Sequence, residues 1–113
     1  VSEAKNIDDE PDRRKARPWC YLSFLPGLTK VAHEYGYALA IHGSMSRDFD
    51  LIAVPWLEGA YTATNLADAI RMHVGGIFTS GDPRTKPHGR LAWAIHIGAN
   101  ELYLDLSVMP RLR

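Results

Sequence analysis

The spacing of apolar positions divides the chain into helical and strand segments. Leu28, Val31, Ala32 and Tyr35 recur at the interval of one helical face. Pro26 suits the first turn of that helix and Gly36 its end. His33 and Glu34 fall on the opposite, solvent side. The preceding residues 19–25 are apolar and are expected to pack on the same domain. Residues 37–42, almost continuously apolar, read as a buried strand. After them Ser44, Met45, Ser46 and Arg47 are too few for a helix and predict a tight turn. A second apolar strand follows over residues 48–54 and stops at Pro55. Two strands with so short a connection predict an antiparallel hairpin.

Beyond a loop at residues 56–61, Thr62 or Thr64 can cap a second helix. Its apolar face is Ala63, Leu66, Ala67, Ile70 and Val74, and Gly75-Gly76 ends it. Asp68 and Arg71 sit at helical pair spacing on its polar side. Residues 79–89 form the longest turn-rich stretch, either a binding loop or a plain surface connection. It carries Arg84, Lys86 and His88, with Arg90 just after. The chain closes with a hairpin. Leu91, Trp93, Ile95 and Ile97 alternate, Gly98-Ala99-Asn100 turns, and Leu102, Leu104, Leu106 and Val108 alternate back. The expected fold is therefore α+β: a small mixed or antiparallel sheet of about four strands, with two main helices on one face and carboxylates on the other.

Composition sharpens this picture in a few places. With 113 residues the chain can form one domain, expected over residues 18–113. Residues 1–17 are polar, with an acidic cluster at Asp8, Asp9 and Glu10 and a basic one at Arg13, Arg14, Lys15 and Arg17, and are expected to form a disordered or loosely attached arm. The formal net charge of zero gives no broad attraction to nucleic acid or to an anionic membrane. Cys20 is the one cysteine, so an internal disulfide is excluded. No apolar run reaches membrane-spanning length and the first residues are too charged for a signal peptide, so a cytoplasmic setting without membrane partners is expected.

The candidate chemistry is acidic. If residues 48–54 form a strand, Asp48 and Asp50 project from one face. Paired carboxylates repel, and persist when solvated, when one is protonated, or when a cation lies between them. Asp105 stands mid-strand on the face opposite the leucines, where an acid needs a partner or a metal. A salt bridge, for instance to Arg47 or Arg90, would also satisfy it. His42, His88 and His96 lack both the paired spacing and the cysteine partners of a zinc site. Walker A, Gly-x-Gly-x-x-Gly and Gly-x-Ser-x-Gly patterns do not occur, which argues against P-loop, Rossmann and hydrolase-elbow enzymes.

Gly43-Ser44 followed by Asp48-Phe49-Asp50-Leu51 resembles the signature of the nucleotidyltransferase superfamily, the polymerase β-like fold, with Asp105 where that family supplies a third carboxylate. Only Met45, Ser46 and Arg47 separate Ser44 from Asp48, where the family usually has a longer connection containing a helix. The resemblance implies transfer of a nucleoside monophosphate from an NTP to a hydroxyl of a protein, small molecule or RNA. Asp48, Asp50 and Asp105 would be the catalytic and metal-binding residues, with Mg²⁺ or Mn²⁺ as cofactor. Gly43 and Ser44 would cradle phosphate oxygens, and Arg47, Lys86 and Arg90 would contact the triphosphate. The alternatives are a catalytically lapsed binding or regulatory member of the fold, completed by a protein partner or a second copy, and a metal-dependent phosphodiesterase or nuclease using the same acids.

Overall fold

The computed structural model describes residues 18–98 and 102–111. The expected polar arm at residues 1–17, and Ala99 and Asn100 of the last turn, lie outside the described residues. The elements in order are α1 (Pro18–Leu22), α2 (Leu25–Glu34), β1 (Tyr37–His42), β2 (Phe49–Pro55), α3 (Ala63–Val74), β3 (Gly76–Phe78), β4 (Arg84–Lys86), a 3₁₀ turn (Pro87–Gly89), β5 (Arg90–Ile97) and β6 (Leu102–Val108). Among the described residues the architecture is α+β, with two main helices and one mixed sheet of six strands.

Both helices follow their apolar spacing. In α2, Leu28 and Ala32 are fully buried and Val31 packs beside them. In α3, Leu66, Ala67 and Ile70 are fully buried. The Thr62 hydroxyl caps α3 by accepting from the Asn65 N–H at 3.2 Å, and Gly75 ends it in the left-handed conformation at φ 67°. The Asp68–Arg71 pair forms at 2.8 Å. In α1 only Tyr21 is buried, while Trp19 and Leu22 stay exposed. The expected packing of residues 19–25 is therefore carried by Tyr21, Phe24 and Leu25, which lie in or against the core, while Trp19 and Leu22 stay outside it.

The sheet runs β1-β2-β6-β5-β3, with β4 also pairing on β5. Two of its strands were not expected: β3, directly after the helix-ending Gly75, and β4, inside the turn-rich stretch, three residues each, both pair antiparallel with β5. The expected four strands become six because β5 is long enough to receive both short segments on one side. The β1–β2 and β5–β6 pairs are antiparallel as expected. Between them, β2 and β6 lie parallel. Strand β1 is not the buried strand that its composition suggests. It forms an edge of the sheet, with Tyr37 alone fully buried.

Alternation assigns the two faces. Phe49, Leu51 and Ala53 of β2, Leu104, Leu106 and Val108 of β6, and Trp93 and Ile95 of β5 are buried in one core with α2 and α3. The intervening residues of β2 and β6, among them Asp50, Ile52, Asp105 and Ser107, point to the other face.

Candidate carboxylate site on the helix-free face

Because β2 and β6 run parallel, both approach the site from the same end, and their register sets Asp50 directly beside Asp105. Neighbouring strands lie about 4.8 Å apart, so two carboxylates rise from adjacent backbones on one face. This pairing joins residues far apart in the chain, and it is the central feature of the site. Asp48 lies one residue before β2 begins, not inside a strand as expected, and is half-buried at its mouth. Its charge still reaches Asp50. On the other flank, His42 is the register partner of Asp50 across β1.

This crowding shows in the electrostatics. Asp50 is held above the ordinary aspartate value of 3.8. Burial is the main cause, repulsion from Asp105 adds to it, His42 opposes it, and Asp48 contributes last. Asp105 has a direct partner: the Arg84 guanidinium donates to it at 2.8 Å. The sequence suggested Arg47 or Arg90 for that contact. Instead β4 pairs with β5 so that Arg84 stands opposite Ala92, one strand over from Asp105, while Arg90 donates its Nε–H to the Pro87 carbonyl. Arg84 was absent from the sequence-derived site. Its signal was the turn at Pro87-His88-Gly89, which folds β4 back along β5.

Gly43 belongs to the site for a steric reason. It adopts φ +79°, and a Cβ placed there would lie 2.5 Å from Oδ2 of Asp50. Only glycine allows the short connection to turn over the carboxylate. The same connection holds Met45 at φ 60°, a left-handed conformation uncommon for a side-chain residue, with its side chain packed against the core. Ser44 is exposed and shares a hydrogen bond of 2.7 Å with the Ser46 hydroxyl. Arg47 is exposed, and its carbonyl accepts from the buried Tyr21 hydroxyl at 2.7 Å. The Tyr21 oxygen also accepts from the Tyr103 N–H at 3.4 Å, so one core phenol ties the connection to the strand carrying Asp105. Lys86 is half-buried in β4, in register with Arg90.

The structure thus sets Asp50 beside Asp105 and against Gly43, with the charges of Asp48 and His42 felt at Asp50 and Arg84 paired to Asp105. The donors are carboxylate oxygens, the chemistry that Mg²⁺ or Mn²⁺ selects. In the ligand-free arrangement Asp105 is committed to Arg84, and among the described residues no three His, Cys, Asp or Glu side chains are gathered closely enough to hold a metal ion. A separate cleft of about 380 Å³, lined by Thr64, Asp68, Phe78, Asp82 and Trp93 among others, opens on the helical side and takes no part in this site. No helix among the described residues is long and apolar enough to cross a membrane. No family model matches the chain, and neither a curated protein nor a solved structure matches it.

Proposed function

We propose that the chain is a metal-dependent nucleotidyltransferase that moves a nucleoside monophosphate from an NTP to a hydroxyl. The observation that carries this reading is the parallel register of Asp50 with Asp105 beside the close turn at Gly43. When bound, Mg²⁺ or Mn²⁺ would supply the positive charge that offsets the carboxylates and the triphosphate. Asp50 and Asp48 would hold the cation from β2, and Asp105 would join them from β6. The acceptor oxygen attacks the α-phosphorus, the bond from that phosphorus to the pyrophosphate oxygen breaks, and Asp105 takes the hydroxyl proton. The backbone N–H groups of Gly43 and Ser44 meet phosphate oxygens. Arg84 exchanges its carboxylate for the triphosphate, a role in which Lys86, Arg47 and Arg90 assist from the rim.

A second reading rests on the Arg84–Asp105 ion pair itself. If that pair is permanent, Asp105 is a structural acid and the domain is a lapsed member of the fold that acts by binding. Calorimetric titration of each NTP with Mg²⁺ into the wild type and into Asp50→Ala separates the two. The transferase reading expects micromolar binding that requires the metal and is lost in the variant. Absence of binding by every NTP to the folded wild type would overturn it.

A further inference from the structure

Among the described residues, strand β1 ends the sheet, and its outer edge has a defined set of backbone groups. It matches β2 residue for residue from Tyr37 opposite Pro55 to His42 opposite Asp50, without a bulge. Just beyond this ladder the Trp56 N–H donates to the Gly36 carbonyl at 3.0 Å. That bond fixes the parity: Ala38, Ala40 and His42 exchange hydrogen bonds with β2, and Tyr37, Leu39 and Ile41 turn theirs outward. The far side of β2 agrees. Ala53, the partner of Leu39, accepts from the Met109 N–H at 2.9 Å on the β6 side. Since Tyr37 is fully buried, the accessible outward groups belong to Leu39 and Ile41. Among the described residues, no backbone hydrogen bond outside the ladders reaches either one.

Natural sheet edges are commonly protected by proline, lysine or a bulge. Residues 37–42 contain no proline, no lysine and no acidic residue. An edge of free N–H and C=O groups is complementary to another extended strand. We infer that the strand is β1 of a second copy, paired antiparallel about a two-fold axis at Ala40. In that register Leu39 faces Ile41 of the second copy and Ile41 faces Leu39, each pair exchanging both of its hydrogen bonds. Ala40, small and exposed, faces its own counterpart at the close, non-bonded spacing. The half-buried side chains of Leu39 and Ile41, on the helical face, meet their symmetry mates and extend the core across the axis. The formal net charge of zero opposes no approach of like copies. The same six-strand face then continues through both copies, with one carboxylate site in each. This inference is independent of the reaction proposed for those sites.

The paired edge is short, so the dimer is expected to form with a dissociation constant in the micromolar range. Sedimentation of the full chain over a wide concentration range tests it. The wild type is expected to pass from monomer to dimer. Ala40→Lys and Ala40→Glu each set like charges face to face at the axis and are expected to weaken self-association by about tenfold or more. An equimolar mixture of the two variants is expected to regain dimerisation. Hydrogen exchange at the Leu39 and Ile41 amides is expected to slow with concentration in the wild type, while the Ala38 and Ala40 amides stay protected throughout. A wild type that remains monomeric up to about 1 mM overturns the inference. So does a dimer that Ala40→Lys leaves unchanged.

Discussion

Replacing Asp50 with asparagine removes one of two carboxylates that the sheet register sets side by side, and nearly preserves side-chain shape. The cost of the charge can be estimated from the geometry. Two unit charges about 5 Å apart repel by about 0.8 kcal/mol at the dielectric of water and about 3 kcal/mol at an effective dielectric of 20. Asp50 is partly solvated and Arg84 screens Asp105, so the realistic figure lies near the lower bound, about 1 kcal/mol. The sign follows from the direction of its pKa. A carboxylate held above 3.8 in the folded state binds its proton more tightly there than in the unfolded chain. Its stabilising contribution is complete below 3.8 and is lost as pH rises through the folded value. At neutral pH, without divalent cations, Asp50→Asn should therefore be more stable than the wild type by about 1 kcal/mol, or roughly 4–8 °C in Tm. The gap should close as pH falls towards 3.8. Added Mg²⁺ should raise the wild-type Tm and leave the variant's nearly unchanged, because a ligand of the native state stabilises only the form that binds it. Calorimetric melting of both proteins across pH, with and without Mg²⁺, provides the measurement. An asparagine variant less stable than the wild type at neutral pH would refute the repulsion argument.

Two further substitutions test the surroundings of that pair. Gly43→Ala introduces a Cβ that meets Asp50 Oδ2 and forces alanine into φ +79°, and is expected to cost at least about 1–2 kcal/mol in urea denaturation. Combined with Asp50→Ala it should cost less than the sum of the two single changes, because the clash partner is gone. Additive costs would mean that the loss comes from backbone strain alone. Arg84→Met breaks the ion pair with Asp105, in which both side chains are substantially exposed, and should cost less than about 1 kcal/mol. That cost should shrink in high salt, and a loss of several kcal/mol would show that Arg84 supports the fold in some other way.

Local pattern and distant pairing were unequally legible in the sequence. The faces of α2 and α3 were readable because Leu28 with Ala32, and Leu66 with Ala67 and Ile70, are fixed by helical spacing within one segment. The closing hairpin was readable because Trp93 and Ile95 against Leu104 and Leu106 alternate cleanly. The edge position of β1 was not, since Ala38 and Ala40 are apolar enough for a buried strand and small enough for an exposed one. Three-residue strands such as β3 and β4 show no alternation of their own and exist because β5 offers them a ladder. For the site, Asp48, Asp50 and Asp105 were each recognisable as acids beside or within apolar strands. What joins Asp50 to Asp105 is the parallel β2–β6 register, which no local spacing encodes. Arg84 was hidden for the same reason, 21 residues from its partner.

That register needs something to hold it, because a six-residue connection with two left-handed residues would otherwise leave the start of β2 free to slide. Tyr21 supplies the restraint. Its ring stacks on Phe49 at 5.3 Å, the first residue of β2 and the one between Asp48 and Asp50. Its hydroxyl donates to the Arg47 carbonyl and accepts from the Tyr103 N–H, two residues before Asp105. One buried side chain thus grips β2 through its ring, the connection through a carbonyl and β6 through an amide. A one-residue slip of β2 would turn Asp50 into the core and Phe49 out of it. The stacking of Tyr21 on Phe49 opposes that slip directly, and its two hydrogen bonds oppose any shift of β2 along β6. The residue nearest to a structural cause of the carboxylate pair is therefore a tyrosine in α1, on the opposite side of the sheet from the site it positions.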